Sequence, residues 1–209
     1  MIANHRKSIG LAAGFVLALT MLSAGATAQE FQLHSSTFGS GSTLPISTIL
    51  NNQVNGVNTC SINGAAGGDE SPQLSWTGVP RGTQSFVVVL YDVTASFTHW
   101  GMYNISGNVT QLPENAGVAG SKYGTQIEND FGLGQQYDGP CPPANVAPDT
   151  HTYVFSVYAL STTLRLPGST NFPSNAETLY HALIHAGREN EILGKASLTG
   201  FYSSTPPSN

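Results

Sequence analysis

Ser85-Phe86-Val87-Val88-Val89-Leu90-Tyr91-Asp92 is the stretch on which the fold turns. Its β-branched and aromatic residues favour extended backbone, and it stays apolar on both faces until Asp92. That pattern predicts a central strand buried on both sides. Thr152–Leu160 (TYVFSVYAL) reads the same way. On it Tyr153, Phe155, Val157 and Ala159 share one face by the two-residue period of a strand. His99–Ile105 (HWGMYNI) predicts another strand. Weaker strands are expected at Phe31–His34, Thr48–Leu50 and Ala196–Tyr202. Residues 38–70 are rich in Gly, Ser, Thr and Asn without sustained periodicity, and read as loops.

One helix is expected. Ser174-Asn175-Ala176-Glu177 after Pro173 fits a capping box, in which the Ser oxygen and the Glu carboxylate each satisfy an end amide. Ala176, Leu179, Tyr180, Leu183 and Ile184 then recur at helical spacing, and Gly187 would end the element. A further helical turn is expected around Glu189–Leu193. The polar, Pro-containing tail 203–209 is expected to fray. The chain thus reads as mainly β, one domain over 29–202, with short helices near the C-terminus.

The N-terminus has the three parts of a secretory signal. Arg6 and Lys7 are followed by an uncharged apolar run from Ile9 to Met21, and Ala26-Thr27-Ala28 offers small residues where a signal peptidase cuts. The run is shorter than the roughly 20 residues of a spanning helix. Cleavage near Ala28 and a periplasmic or secreted location are expected. The remainder carries five basic and twelve acidic residues, a formal charge of −7. Such a balance argues against nucleic acid and anionic membrane surfaces as partners. Outside the cytoplasm, an even pair of cysteines, Cys60 and Cys141, suggests a disulfide, with two buried thiols as the rival reading.

Chemistry-bearing residues gather at strand ends. Asp92 ends its strand, His99-Trp100 opens the next, and Tyr137-Asp138-Gly139-Pro140-Cys141-Pro142-Pro143 forms a loop stiffened by three prolines, shortly before His151-Thr152-Tyr153. Imidazoles, a phenol and backbone N–H groups suit an oxyanion. Asp92 beside an anion then needs a role: sharing a proton with the ligand, orienting His99 as a cationic donor, or pairing with a ligand amine. Trp76 and Trp100 read as core or pocket floor. His34, His181 and His185 read as surface or packing residues.

The spaced elements Ser71-Pro72-x-Leu74-x-Trp76, Pro80-x-Gly82-Thr83-x-Ser85, Asp92, His99-Trp100, Asn129-Asp130-x-Gly132, Tyr137-x-Gly139-Pro140-Cys141-Pro142-Pro143, His151-x-Tyr153-x-Phe155 and Leu198-x-Gly200-x-Tyr202 resemble the phosphatidylethanolamine-binding protein family, most of all its bacterial YbhB/YbcL-like branch. The resemblance implies two antiparallel sheets, one large and central, one smaller. It also implies a small pocket for phosphate or phospholipid head groups, lined here by Asp92, His99, His151 and Tyr153, with Pro142 and Pro143 at the opening. Asp92-Val93-Thr94-Ala95-Ser96 stands where the family has D-P-D-A-P. Thr94 removes the second carboxylate, Val93 and Ser96 remove prolines and so should loosen the turn, and Thr152 replaces the usual Arg. Glu191 stands where many relatives have His, outside the expected pocket.

The leading expectation is therefore an exported binding protein for a small anion or phospholipid head group, without catalysis, cofactor or metal. Relatives inhibit kinases and proteases. Protease inhibition or another protein partner stays open as an alternative, as does a homodimer; kinase regulation does not suit an exported chain. An enzyme using Asp92 with His99 is a further alternative, although no Ser or Cys nucleophile stands in a recognised context. A zinc site on Asp92, His99 and His151 is the least favoured reading.

Overall fold

The computed structural model describes Met1 and residues 29–206. The expected signal segment, apart from Met1, and residues 207–209 lie outside the described residues. Within them eleven strands form three sheets, accompanied by one α-helix.

The strands are β1 (Gln32–His34), β2 (Ser42–Thr43), β3 (Gln53–Val54), β4 (Val57–Asn58), β5 (Leu74–Thr77), β6 (Ser85–Asp92), β7 (Phe97–Ser106), β8 (Gln111–Leu112), β9 (Thr125–Gln126), β10 (His151–Leu160) and β11 (Ile192–Tyr202). The helix, α1, spans Ala176–Arg188. The large sheet has the order β2-β11-β10-β6-β7-β9, with β6 and β10 at its centre as their apolar runs require. A smaller sheet runs β1-β5-β8, and β3-β4 is an isolated hairpin. The expectation of purely antiparallel sheets needs one correction: the two-residue edge strand β2 pairs with β11 in parallel.

Alternation divides the large sheet into two faces. Phe86, Val88, Leu90, Phe155 and Val157 face the small sheet and pack with Leu33, Leu74, Trp76 and Leu112 into the main core. Tyr153, Phe155, Val157 and Ala159 are all fully buried on that face. The other face carries Val87 and Val89, against which α1 lays Leu179 and Leu183. Gly101 lets the helix approach, since a Cβ there would stand 2.8 Å from Leu179 Cδ2 and 2.7 Å from Ile127.

Local details differ from expectation for identifiable reasons. The expected strand at Thr48–Leu50 is a 3-10 turn at Ile46–Thr48, closed by the Thr48 and Ile49 amides on the carbonyls of Pro45 and Ile46. Asn175, not Ser174, caps α1, sharing a reciprocal capping box with Thr178. The helix runs through Gly187. The expected turn at Glu189–Leu193 is replaced by the start of β11, whose Ile192 pairs with Leu160. The tail does not fray at once: Ser204 is buried and donates to the Cys60 carbonyl (2.8 Å). Cys60 and Cys141 are joined in a disulfide. Among the described residues no helix is long and apolar enough to cross a membrane.

Candidate functional site

Pairing of β6 with β10 sets Tyr153 opposite Asp92. Both side chains therefore project from the same face at the end of the sheet, and the next residue on that face of β10 is His151. β7 brings His99 to the same corner. His99 and Tyr153 meet edge to face at 5.4 Å, and the His151 ring stacks on Tyr153 at 6.3 Å. Asp92, His99, His151 and Tyr153 thus form one cluster. Each is less than a tenth exposed.

Asp92 is engaged on both oxygens. Oδ1 accepts from the amides of Thr94 (2.8 Å) and Ala95 (3.1 Å), and Oδ2 accepts from His151 Nδ1 (2.6 Å). The expected pairing of Asp92 with His99 is thus corrected: the imidazole that touches Asp92 belongs to His151. The Asp92–Ser96 turn is not loose despite its missing prolines. The two amide bonds to Asp92 close it, and Thr94 Oγ1 ties it to β10 by accepting from the Thr152 amide (3.0 Å).

His99 turns the other way. Its Nδ1 lies 3.0 Å from the Asp138 carbonyl and 3.1 Å from that of Gly139. A carbonyl can only accept, so Nδ1 carries the proton and Nε2 is left as the free ring position. Burial lowers the His99 pKa, against the pull of those carbonyls and of the charges on Asp92 and Asp130. The ring therefore favours its neutral form near pH 7. Phe97 and Phe131 pack on it at 5.0 and 5.3 Å.

The Tyr153 hydroxyl is fully buried. It lies beside the Asp92 carboxylate without reaching hydrogen-bonding geometry, and has no partner among the described residues. Burial first, and the Asp92 charge second, push its pKa well above the usual phenol range. It stays protonated as a donor.

The proline loop is fastened from behind. Asp69 Oδ1 accepts from the Gly139 amide (2.8 Å), the Leu50 amide donates to the Pro140 carbonyl (3.2 Å), and the Tyr137 hydroxyl donates to the Thr48 carbonyl (2.8 Å). Asp138 accepts from Asn129 (2.6 Å) and Gln136 (2.9 Å). A Cβ on Gly139 would stand 2.0 Å from the Thr48 oxygen, so only glycine fits there. The Gly139 N–H is consumed by Asp69, and is not the free donor to a ligand that the sequence suggested. Pro142 is buried and Pro143 is exposed. Asp69, which sequence reasoning passed over, has its pKa raised to about 6, by burial and then by Asp138, against the Gly139 hydrogen bond. It sits in an apparently featureless loop, and its only sequence signal is the Gly-Gly-Asp step at 67–69.

A cavity of about 400 Å³ adjoins the cluster across Phe131, lined also by Asp69, Asp138 and Cys141. A groove of about 450 Å³ lies elsewhere along α1, and Glu191 belongs to it. Trp76 and Trp100 are core residues, and His34, His181 and His185 are exposed. Among the described residues no group of three or more His, Cys, Asp or Glu is arranged to hold a metal ion.

Residues 34–203 match the family model described as "Phosphatidylethanolamine-binding protein". The chain is 38% identical over 152 residues to the UPF0098 protein YbcL of Escherichia coli, covering 69% of this chain and 76% of that one. It is 39% identical over 139 residues to a UPF0098 protein of Methanothermobacter thermautotrophicus, covering 63% and 82%. The crystal structure of E. coli YbcL, described as a member of the mammalian PEBP family, superposes with a TM-score of 0.66 at 32% identity, covering 84% of this chain and 99% of that one.

Proposed function

Since the chain belongs to the phosphatidylethanolamine-binding protein family, we propose that it is an exported binding protein whose Asp92–His99–His151–Tyr153 cluster takes a small oxyanion, either free phosphate or a phospholipid head group. The observation that carries this reading is the Tyr153 hydroxyl, fully buried with no hydrogen-bond partner among the described residues. An orphaned buried donor costs stability of ~1–3 kcal/mol, and a ligand oxygen would relieve it.

The electrostatics fit a protonated anion. Two amides and His151 already hold Asp92, so its charge is directed away from an incoming oxygen. The neutral His99 offers a lone pair at Nε2. Inorganic phosphate, which keeps an O–H at neutral pH, could donate it there while accepting from Tyr153; a fully ionised phosphomonoester, or the phosphodiester of an intact phospholipid, would need His99 to take up a proton. Binding of those forms is then linked to proton uptake. Export is supported by the N-terminal pattern and by the Cys60–Cys141 disulfide, a bond favoured outside the cytoplasm.

Calorimetric titration with phosphate and with O-phosphoethanolamine tests the binding reading. Wild type should bind at least one of them, O-phosphoethanolamine more tightly at pH 6 than at pH 8, and His99→Ala should weaken binding at least ten-fold. No heat with either compound, or identical affinity in His99→Ala, overturns it.

A further inference from the structure

The face of the large sheet that carries α1 is only partly covered by it. Val154 pairs with Tyr91, Ser156 with Val89, and Tyr158 of β10 with Lys195 of β11, so all of these side chains emerge on one face. α1 covers the Val87 side, and its last contact across the face is Tyr180, which meets Tyr91 edge to face at 6.2 Å and places its hydroxyl 3.4 Å from Thr98 Oγ1. Beyond Tyr180 the helix leaves a groove of about 360 Å³. It lies on the opposite face of the sheet from Tyr153 and its neighbours.

The lining has a definite chemistry. Val89, Val154 and Ser156 form the floor, and the Ser156 hydroxyl is already occupied by Ser197 at 2.9 Å. Tyr91, Tyr158 and Tyr180 stand as walls, and Val93 is an exposed rim residue. One lining residue is charged, Lys195, with Nζ 5.2 Å from the centroid of the Tyr158 ring. Among the described residues no carboxylate lines the groove. Asp130, whose charge reaches Tyr180, is held by the Thr98 amide at 2.7 Å. The volume is at the small end of the ligand-site range, and the plan of apolar floor, aromatic walls and one polar anchor is that of a small-molecule site. Lysine over tyrosine alone would need no explanation, being a common way to cover a ring. A positive charge at one end of a three-tyrosine slot, in a chain with an acidic surplus, is more selective.

We propose that this groove is a second ligand site, for a small planar aromatic carboxylate. The ring lies between the Tyr91/Tyr180 pair and Tyr158, where edge and offset contacts with phenols are favoured. The carboxylate pairs with Lys195, displacing its ammonium from the Tyr158 ring. The site is independent of the oxyanion cluster.

The test uses 2-naphthoate and its uncharged counterpart 2-naphthalenemethanol, followed by saturation-transfer NMR and calorimetry. Wild type and His99→Ala should bind naphthoate alike. Lys195→Gln should weaken naphthoate at least five-fold while leaving naphthalenemethanol unchanged. Ser156→Leu, which fills the floor, should abolish both; should it fail to fold, Val93→Asp at the exposed rim should weaken naphthoate at least five-fold instead. Absence of naphthoate binding at millimolar concentration, indifference to Lys195→Gln, or loss of binding in His99→Ala overturns the proposal.

Discussion

His151 Nδ1 stands 2.6 Å from Asp92 Oδ2, and both residues are nearly sealed from solvent. Their contact ties the end of β6 to the start of β10. His151→Ala leaves the carboxylate with only its two amide donors. Breaking a buried pair from one side costs about 3–5 kcal/mol; the surviving amides place this case near 3 kcal/mol. Urea unfolding measures it. Adding Asp92→Asn to His151→Ala should recover part of the loss, because the stranded charge is gone; a further additive loss would refute this account.

Tyr153→Phe should separate stability from binding. Removing the orphaned hydroxyl relieves a buried unsatisfied group and should raise unfolding stability by about 1 kcal/mol. The same change deletes the proposed donor, and phosphate affinity should fall at least ten-fold. A variant that loses stability without losing affinity would show the hydroxyl to be structural.

Asp69 gives a pH signature. Its pKa is raised in the folded protein to about 6, from 3.8. Between those values the native state holds more protons than the unfolded chain, so this group's contribution falls as pH rises from about 4 to about 6, and is constant above. Asp69→Asn keeps an acceptor for the Gly139 amide and suits the positive φ of 52° at this position. It should match wild type near pH 4 and exceed it at pH 7.5. A two-unit shift corresponds to ~3 kcal/mol; partial exposure reduces this to about 1 kcal/mol. Denaturant midpoints at both pH values check the sign.

The disulfide joins residues 81 apart in sequence. Closing a loop of that length in the unfolded chain is worth about 4.5 kcal/mol in the chain-entropy model. Cys60→Ser with Cys141→Ser should lower unfolding stability by about 2–4 kcal/mol. It should also weaken phosphate binding, because Cys141 lies two residues beyond Gly139, whose carbonyl holds His99. Intact masses with and without reductant should differ by two hydrogen atoms for the wild type alone.

The central strands were readable because their side chains alone make the case: an unbroken Val/Leu/Phe run such as Ser85–Asp92 has no stable place except the middle of a sheet. The family resemblance brought Asp92, His99, His151 and Tyr153 into view together. Which imidazole faces Asp92 was not readable, because it depends on strand register. Tyr153 pairs with Asp92, so His151 follows on the same face, whereas His99 is the unpaired β7 residue at a register shift, between Thr98 opposite Tyr91 and Trp100 opposite Leu90. The helix start slipped by one residue since Ser174 and Asn175 are both competent caps, and only the position of Thr178 distinguishes them. Residues 189–193 have helical composition, but pairing of Ile192 with Leu160, distant in sequence, makes them a strand. Asp69 escaped notice because its partner, the Gly139 amide, is 70 residues away.

The link between Cys60 and Cys141 also determines how the chain would survive damage. Arg81 and Lys122 are exposed and lie between the two cysteines. A trypsin-like protease cutting at either would leave two pieces still joined as one covalent molecule. They would migrate together on a gel until reductant is added, then part. A protein living among extracellular proteases would thereby carry its cuts without shedding half of its fold.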